Sequence, residues 1–292
     1  PGLGKTMVAL DLIARLTTGQ PMPEETRCAH QGGAVLISLE DDLSDTLQPR
    51  LAKAGADLTK VVSLAYDASD NDRMFSLDTD LPRLEGGIKR VDAKIVLIDP
   101  IMALLGGKDT YKDNEVRAVL APLKALAEHC NVAIILIRHV NKSGSEKLIY
   151  QGGGSIGFIG LARIGLMVAR NPEDEEQCIL ATIKNNLLKI PPKLLYRVVN
   201  DPGDEERPYI AWEGETAISD SEIAKPPSRN TGSNRNAILD LLNACAPVAM
   251  ELHEIQEAMP NMTPSNLKMT LKRMYEKGEI EKSARGAYNV VE

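Results

Sequence analysis

The sequence predicts an α/β fold: a mainly parallel central sheet, then a linker, then a small domain of three helices and a hairpin. Three observations carry this. Near-continuous apolar runs of strand length alternate with helical segments, the pattern of parallel strands buried on both faces and joined by crossover helices. The chain opens on a glycine-rich turn, Pro1-Gly2-Leu3-Gly4-Lys5-Thr6, that runs straight into an apolar helix. From Thr216 to Asn234 the apolar periodicity stops, and beyond it the pattern reads helix, helix, helix, hairpin.

The opening turn is the back end of G-x-x-x-x-G-K-[ST], a phosphate-binding loop whose first glycine would lie two positions before Pro1. Gly4 lets backbone N–H groups curl around a β-phosphate. Lys5 reaches the β- and γ-phosphates, and the Thr6 hydroxyl ligates Mg²⁺. Pro1, Gly2, Leu3, Gly4, Lys5, Thr6 and Met7 are the candidate nucleotide contacts. The run from Met7 to Ile13 starts a helix whose N-terminus faces the phosphates. The chain opens inside a motif and without an initiator Met, so it reads as a fragment whose first strand precedes Pro1.

A polar connection, Thr17 to Gln31, leads to a strand over Gly33 to Leu39 that ends in Glu40-Asp41-Asp42. A helix is predicted from Leu43 to Ala54, a short strand from Val61 to Leu64, and a polar loop from Asp67 to Asp80. The helix Leu81 to Arg90 precedes the strand Lys94 to Ile98, which ends in Asp99-Pro100. The helix Asn114 to Cys130 precedes the strand Val132 to Ile137, which ends in Arg138-His139. A Gly/Lys/Ser-rich loop covers Val140 to Ser155. Further strands read at Ile164 to Val168, Ile179 to Ile183, Leu194 to Val199 and Tyr209 to Trp212. After the linker come helices over Arg235 to Cys245, Leu252 to Met259 and Pro264 to Lys277, the last capped by Thr263 with Pro at its first position. The hairpin turns at Ala284-Arg285-Gly286. That order is the winged helix-turn-helix layout. The predicted divisions are 1–215, 216–234 and 235–292.

The formal net charge of −7 argues against a strongly basic nucleic-acid coat but leaves room for a local basic channel. Trp212, Phe75 and Phe158 are the only Trp and Phe residues, too few for an aromatic base-stacking platform. Cys28, Cys130, Cys178 and Cys245 lie far apart with no C-x-x-C, as in free cytosolic thiols. No signal peptide or bilayer-length apolar stretch is found. A cytoplasmic protein without a membrane partner is expected.

In open α/β sheets the ligand sits beyond the carboxyl ends of the strands. Three strands here end in Glu40, Asp99 and His139. Asp99 follows four apolar residues, as a Walker B carboxylate does, and with Thr6 would hold Mg²⁺. Glu40 could polarise the attacking water, or cap a helix as Asp41 or Asp42 does. His139 could sense the γ-phosphate or be structural.

Leu39-Glu40-Asp41-Asp42, Leu97-Ile98-Asp99-Pro100, Asp113-Asn114-Glu115-Val116-Arg117, His139-Val140-Asn141-Lys142 and Gly154-Ser155 occur in that order. Together they resemble the RecA-type P-loop ATPases related to the RepA plasmid replicative helicase and, more distantly, to DnaB and RadA. The resemblance covers Pro1 to Trp212. It implies a RecA-like core with ATP and Mg²⁺, Lys5 and Thr6 at the nucleotide, Glu40 as catalytic glutamate, Asp99 as Walker B and His139 as sensor. It implies a homo-oligomeric ring, such as a hexamer, with ATP between subunits and a basic residue supplied by the neighbour. Arg163 and Lys184 are the candidates.

The loops Gly106 to Asp113 and Val140 to Ser155 would line the pore, placing Lys108, Lys112, Lys142 and Lys147 on a phosphate backbone. Gln151-Gly152-Gly153-Gly154 departs from the family, which often carries a basic residue just before the Gly-Ser. In the last domain Lys268, Lys272, Arg273, Lys277, Lys282 and Arg285 are candidate DNA contacts. Residues 235–292 nonetheless hold seven Lys/Arg against eight Asp/Glu.

The expected function is an ATP-hydrolysing protein acting on single- or double-stranded DNA in replication or repair, at its furthest a helicase of a phage, plasmid or integrated element. The alternative is a nucleotide-regulated DNA-binding or adaptor protein with slow hydrolysis.

Overall fold

The structure, a computed structural model, describes residues 2–23, 27–28, 30–67, 73–105, 112–138, 157–174, 176–202, 204–224, 230–246, 248–260, 262–276, 278–283 and 286–290. The chain divides into two compact units, Pro1–Ala169 with Gln177–Ala224, and Arg170–Glu176 with Lys225–Glu292.

The first unit is built on strands β1 (Gly33–Ser38), β2 (Val61–Ser63), β5 (Ala93–Asp99) and β6 (Ala133–Leu136). They form one sheet in the order β2-β1-β5-β6, with every pairing parallel. Alternation along each strand divides its side chains between two cores. Val35, Ile37, Val96 and Ile98 face helices α3 (Leu81–Arg90) and α4 (Asp113–Cys130), packing with Leu84, Ile88, Val116 and Leu120. Ala34, Leu36 and Leu97 face helix α1 (Lys5–Thr18), packing with Ala9, Leu10 and Ile13. Because both faces are covered, the apolar runs are unbroken.

Four later strands form a separate sheet: β7 (Ile164–Arg170), β8 (Gln177–Asn185), β9 (Lys193–Asp201) and β10 (Asp204–Thr216), in the order β10-β9-β8-β7. The β8–β9 and β9–β10 pairings are antiparallel. The sequence predicts one mainly parallel sheet, so these strands differ from expectation. Their connections are too short for a parallel crossover, which needs a dozen or more residues. This second sheet packs on the other side of α1: Met7 and Val8 join Cys178, Tyr196 and Ile210, with Leu3, Leu12 and Trp212 at the margin. α1 is therefore held between two sheets, which is why it is apolar on nearly every face.

Three segments differ locally from expectation. Leu43–Leu47 is a π-helical turn, and α2 proper runs only over Gln48–Lys53. Pro49 near the start of α2 lacks the N–H that a continuous α-helix would use. The predicted loop Asp67 to Asp80 carries a small ladder, β3 (Tyr66–Asp67) against β4 (Arg73–Met74). Below it the guanidinium of Arg73 donates two hydrogen bonds to Asp80, at 2.8 and 2.9 Å. That pair, with the Ser76 amide, holds the Asp80 carboxyl below its usual range.

The predicted linker 216–234 contains helix α6 (Asp220–Ala224) and the first residues of helix α7 (Asn230–Cys245). Ser219 and Glu222 form reciprocal capping bonds at the start of α6, the S-x-x-E signature of a helix start. Ile223 of α6 is buried with Met167, Ile179 and Ala181 of the antiparallel sheet.

The second unit contains α7, α8 (Leu252–Ala258), α9 (Pro264–Glu276) and an antiparallel hairpin, β11 (Ile280–Lys282) with β12 (Tyr288–Val290). Met250 bridges to Tyr288 beside the hairpin. Ile238, Leu242, Ile255, Leu267, Leu271, Met274 and Ile280 form its core.

Candidate functional site

The period of β5 places its last residue. Ile95 and Leu97 face α1, so Asp99, two further on, emerges on the same face at the carboxyl end of the strand. The start of α1 lies there. Thr6 Oγ1 donates to Asp99 Oδ2 at 2.6 Å across 93 positions of sequence. Asp99 is 3% exposed. Burial pushes its carboxyl above the usual range, the Thr6 hydroxyl opposes that rise, the charges of Glu40 and Asp41 add to it, and Lys5 opposes it. Those influences place Lys5, Glu40 and Asp41 around the same carboxylate.

The loop ahead of α1 has the backbone that its glycines permit. Gly2 has φ +79° and Gly4, the residue before the helix, has φ +71°. A Cβ on Gly4 would stand 2.8 Å from Val198 Cγ2, so position 4 is limited by close packing as well as by φ. The Leu3 carbonyl, between the two glycines, accepts a 2.6 Å hydrogen bond from the Tyr196 hydroxyl of β9. Lys5 opens α1, with its amide among the N–H groups that an α-helix leaves without intrahelical partners. The Met7 side chain is packed into the core against the antiparallel sheet.

Glu40 is exposed in the bend after β1. Its neighbours serve structure: Asp41 accepts from Arg50 at 3.2 Å, and Asp42 caps the π-helical turn through the Ser44 and Asp45 amides. The carboxylates after β1 thus divide their work, with Asp42 as the cap.

The Arg163 carbonyl accepts from the Asn186 amide at 3.0 Å, two residues beyond Lys184. Arg163 is exposed. The Lys184 ammonium is engaged within its own chain, donating to the Ile159 and Gly160 carbonyls at 2.7 and 3.0 Å, near the C-terminal end of helix α5 (Gly157–Leu161). Lys112 pairs with Glu115 at 3.1 Å. Lys268 and Lys272 are exposed on α9, away from the buried Leu267, Leu271 and Met274, and Arg273 lies 3.6 Å from Glu176. Pro1, Lys108, His139, Lys142, Lys147, Lys277, Arg285 and most of both predicted pore loops fall outside the described residues.

Sequence reading missed Tyr196, Asp11 and Trp212. Asp11 of α1 is buried and accepts at 2.8 Å from both Arg15 Nε and Trp212 Nε1. An Asp on an otherwise apolar helix, four residues before an Arg, was the available signal. Tyr196 carried none, because an isolated strand tyrosine is ordinary.

Among the described residues, no group of three or more His, Cys, Asp or Glu is arranged to hold a metal by itself, and no helix is long and apolar enough to cross a membrane. None of the four cysteines forms a disulfide. A hydroxyl and a carboxylate meeting beside a helix N-terminus are, however, a hard-oxygen donor set that suits Mg²⁺ when a phosphate supplies the remaining oxygens.

The family model described as an AAA domain matches residues 1–145. No curated protein matches the chain. Among solved structures, a RadB recombinase is similar at 17% sequence identity and a TM-score of 0.43, over 68% of this chain and 83% of that chain. The match over 1–145, taken with the Gly4-Lys5-Thr6 loop and the Thr6–Asp99 contact, supports a P-loop ATPase core.

Proposed function

We propose that the chain is a RecA-type ATPase that binds and hydrolyses ATP with Mg²⁺ and acts on DNA in replication or repair. One observation carries this most: the loop's Thr6 hydroxyl meets the β5 carboxylate Asp99 at 2.6 Å. In this reading the loop amides and Lys5 hold the β- and γ-phosphates. Glu40, at the end of the neighbouring strand, orients the attacking water and takes its proton. Thr6 and Asp99 would hold Mg²⁺, which when bound offsets phosphate charge. Phosphoryl transfer needs little covalent help from the protein, so these fixed charges and dipoles supply most of the acceleration.

Assembly and DNA contact extend the same proposal. The β8–β9 connection, which follows Lys184, exposes Leu187, Leu188 and Ile190 at 56%, 80% and 54%, an apolar stretch that suits docking of a second copy in a ring. The C-terminal unit, read as a winged helix, would present the exposed α9 lysines Lys268 and Lys272 to phosphates, and unwinding by a helicase is the furthest extension. The adaptor reading, with slow hydrolysis, is favoured by the balance of seven basic to eight acidic residues over 235–292.

ATP turnover by the chain, with and without single-stranded DNA and across protein concentration, separates the two. Stimulated, concentration-dependent turnover supports the motor; binding without it supports the adaptor. Glu40→Gln is expected to lower turnover by about 10²-fold or more while keeping ATP binding. Unchanged turnover removes Glu40 from the mechanism.

A further inference from the structure

The antiparallel sheet reaches the phosphate loop through one polar side chain. Tyr196 is fully buried in β9, with its ring 5.4 Å from that of Trp212 and its hydroxyl on the Leu3 carbonyl. Across a planar trans peptide, the carbonyl of Leu3 and the N–H of Gly4 point in opposite directions. A hydroxyl that holds the Leu3 carbonyl toward β9 therefore turns the Gly4 N–H away from β9. A flip of this peptide rotates ψ of Leu3 and φ of Gly4, and Gly4, at φ +71°, offers little intrinsic preference to resist it. The bond to Tyr196 and the packing of Val198 and Ile210 beside Gly4 are what select one orientation.

We propose that Tyr196 is a positioning residue for nucleotide binding: it presets the Leu3–Gly4 peptide so that the Gly4 amide faces the phosphates before they arrive. This rests on the nucleotide reading above and deepens it. Preorganisation matters because a peptide that must be ordered on binding weakens affinity. Burial, with Cys178 nearby, pushes the Tyr196 hydroxyl far above its usual range, so it stays a donor across physiological pH. Trp212 donates to Asp11 two turns along the same helix, which makes the single tryptophan a built-in reporter of this contact.

The test is ATP and ADP binding by the full 292-residue chain, titrated through Trp212 fluorescence. Tyr196→Phe keeps the ring and removes the donor. Its expected effect is about five-fold weaker binding of both nucleotides, the equivalent of one net hydrogen bond. Ile179→Val is the control, since Ile179 is fully buried in the same sheet but packs with Met167 and Ile223 rather than with the loop. It should lower thermal stability with nucleotide affinity unchanged. Wild-type-like affinity in Tyr196→Phe, or an equal affinity loss in Ile179→Val, overturns the role of Tyr196 while leaving the nucleotide reading in place. A wild-type chain that binds no nucleotide overturns both. Hydrogen exchange of the loop amides without nucleotide reads the anchor directly: faster exchange in Tyr196→Phe is expected, and an unchanged rate counts against it.

Discussion

The two sheets that enclose α1 differ in how they serve the site. The parallel sheet places carboxylates at its strand ends: β1 leads to Glu40, and β5 ends in Asp99. β1 is buried along its whole length and β5 over its last four residues, so apolar packing on both faces holds these two central strands. The antiparallel sheet delivers support from the middle of its strands, through Tyr196, Val198 and Trp212. It also leaves more of itself open, with Ile164 and Leu166 of β7 at 45% and 51% exposure. The comparison separates two ways of using a sheet: one carries carboxylates at its strand ends, and the other packs the middle of its strands against the glycine loop.

Truncation separates the sheets most sharply. Leu97→Ala empties a site 2% exposed between α1 and β5, and is expected to cost about 3 kcal/mol in denaturant unfolding. Leu166→Ala, on the open edge, should stay within about 0.5 kcal/mol. Equal losses would mean that β7 is covered in the working protein.

A smaller effect is expected where the parallel sheet gives up stability for its site. Asp99 has its carboxyl raised, chiefly by burial. An acid whose folded-state pKa exceeds its unfolded value binds more protons when folded, so stability falls as pH rises through that interval. Asp99→Asn should therefore raise the melting temperature at pH 7 by less than Leu97→Ala lowers it. The gain should shrink as pH falls toward the ordinary carboxylate range, while Mg²⁺-dependent nucleotide binding weakens. A lower melting temperature at pH 7 would show that the ionised carboxylate stabilises the fold.

The least effect on the fold is expected at the tip of the antiparallel sheet. Leu188→Ser alters a side chain 80% exposed, so unfolding should move by no more than about 0.5 kcal/mol. Sedimentation should show reduced self-association if this tip docks a second copy, and an unchanged oligomer distribution excludes it.

Much of the first sheet was legible because its signals are local. Gly4-Lys5-Thr6 before an apolar helix marks the loop, and the runs ending at Ser38 and Asp99 mark buried strands by composition alone. A cap after β1 is legible too, although Asp41 and Asp42 are equally eligible by residue type and only the backbone geometry selects Asp42. The second sheet's strands were legible one by one, but their apolar runs alone did not give their pairing. Composition does not state whether two strands run parallel; the short turns at Asn171-Pro172 and Asp201-Pro202 did, and they point to antiparallel neighbours. The helix Asp220–Ala224 was hidden by the low apolar content around it, although Ser219 and Glu222 carried its start signal.

By itself, then, the sequence determined which residue types stand where: a lysine, a hydroxyl and glycines in one loop, and carboxylates at strand ends. Their order along the chain and the period of each strand are enough for that. Only the tertiary structure decided which of them meet and what holds them. The Thr6–Asp99 contact spans 93 positions, and Tyr196 reaches Leu3 across 193. No local propensity encodes such pairs, because they form only when two sheets close on the same helix and bury the groups between them.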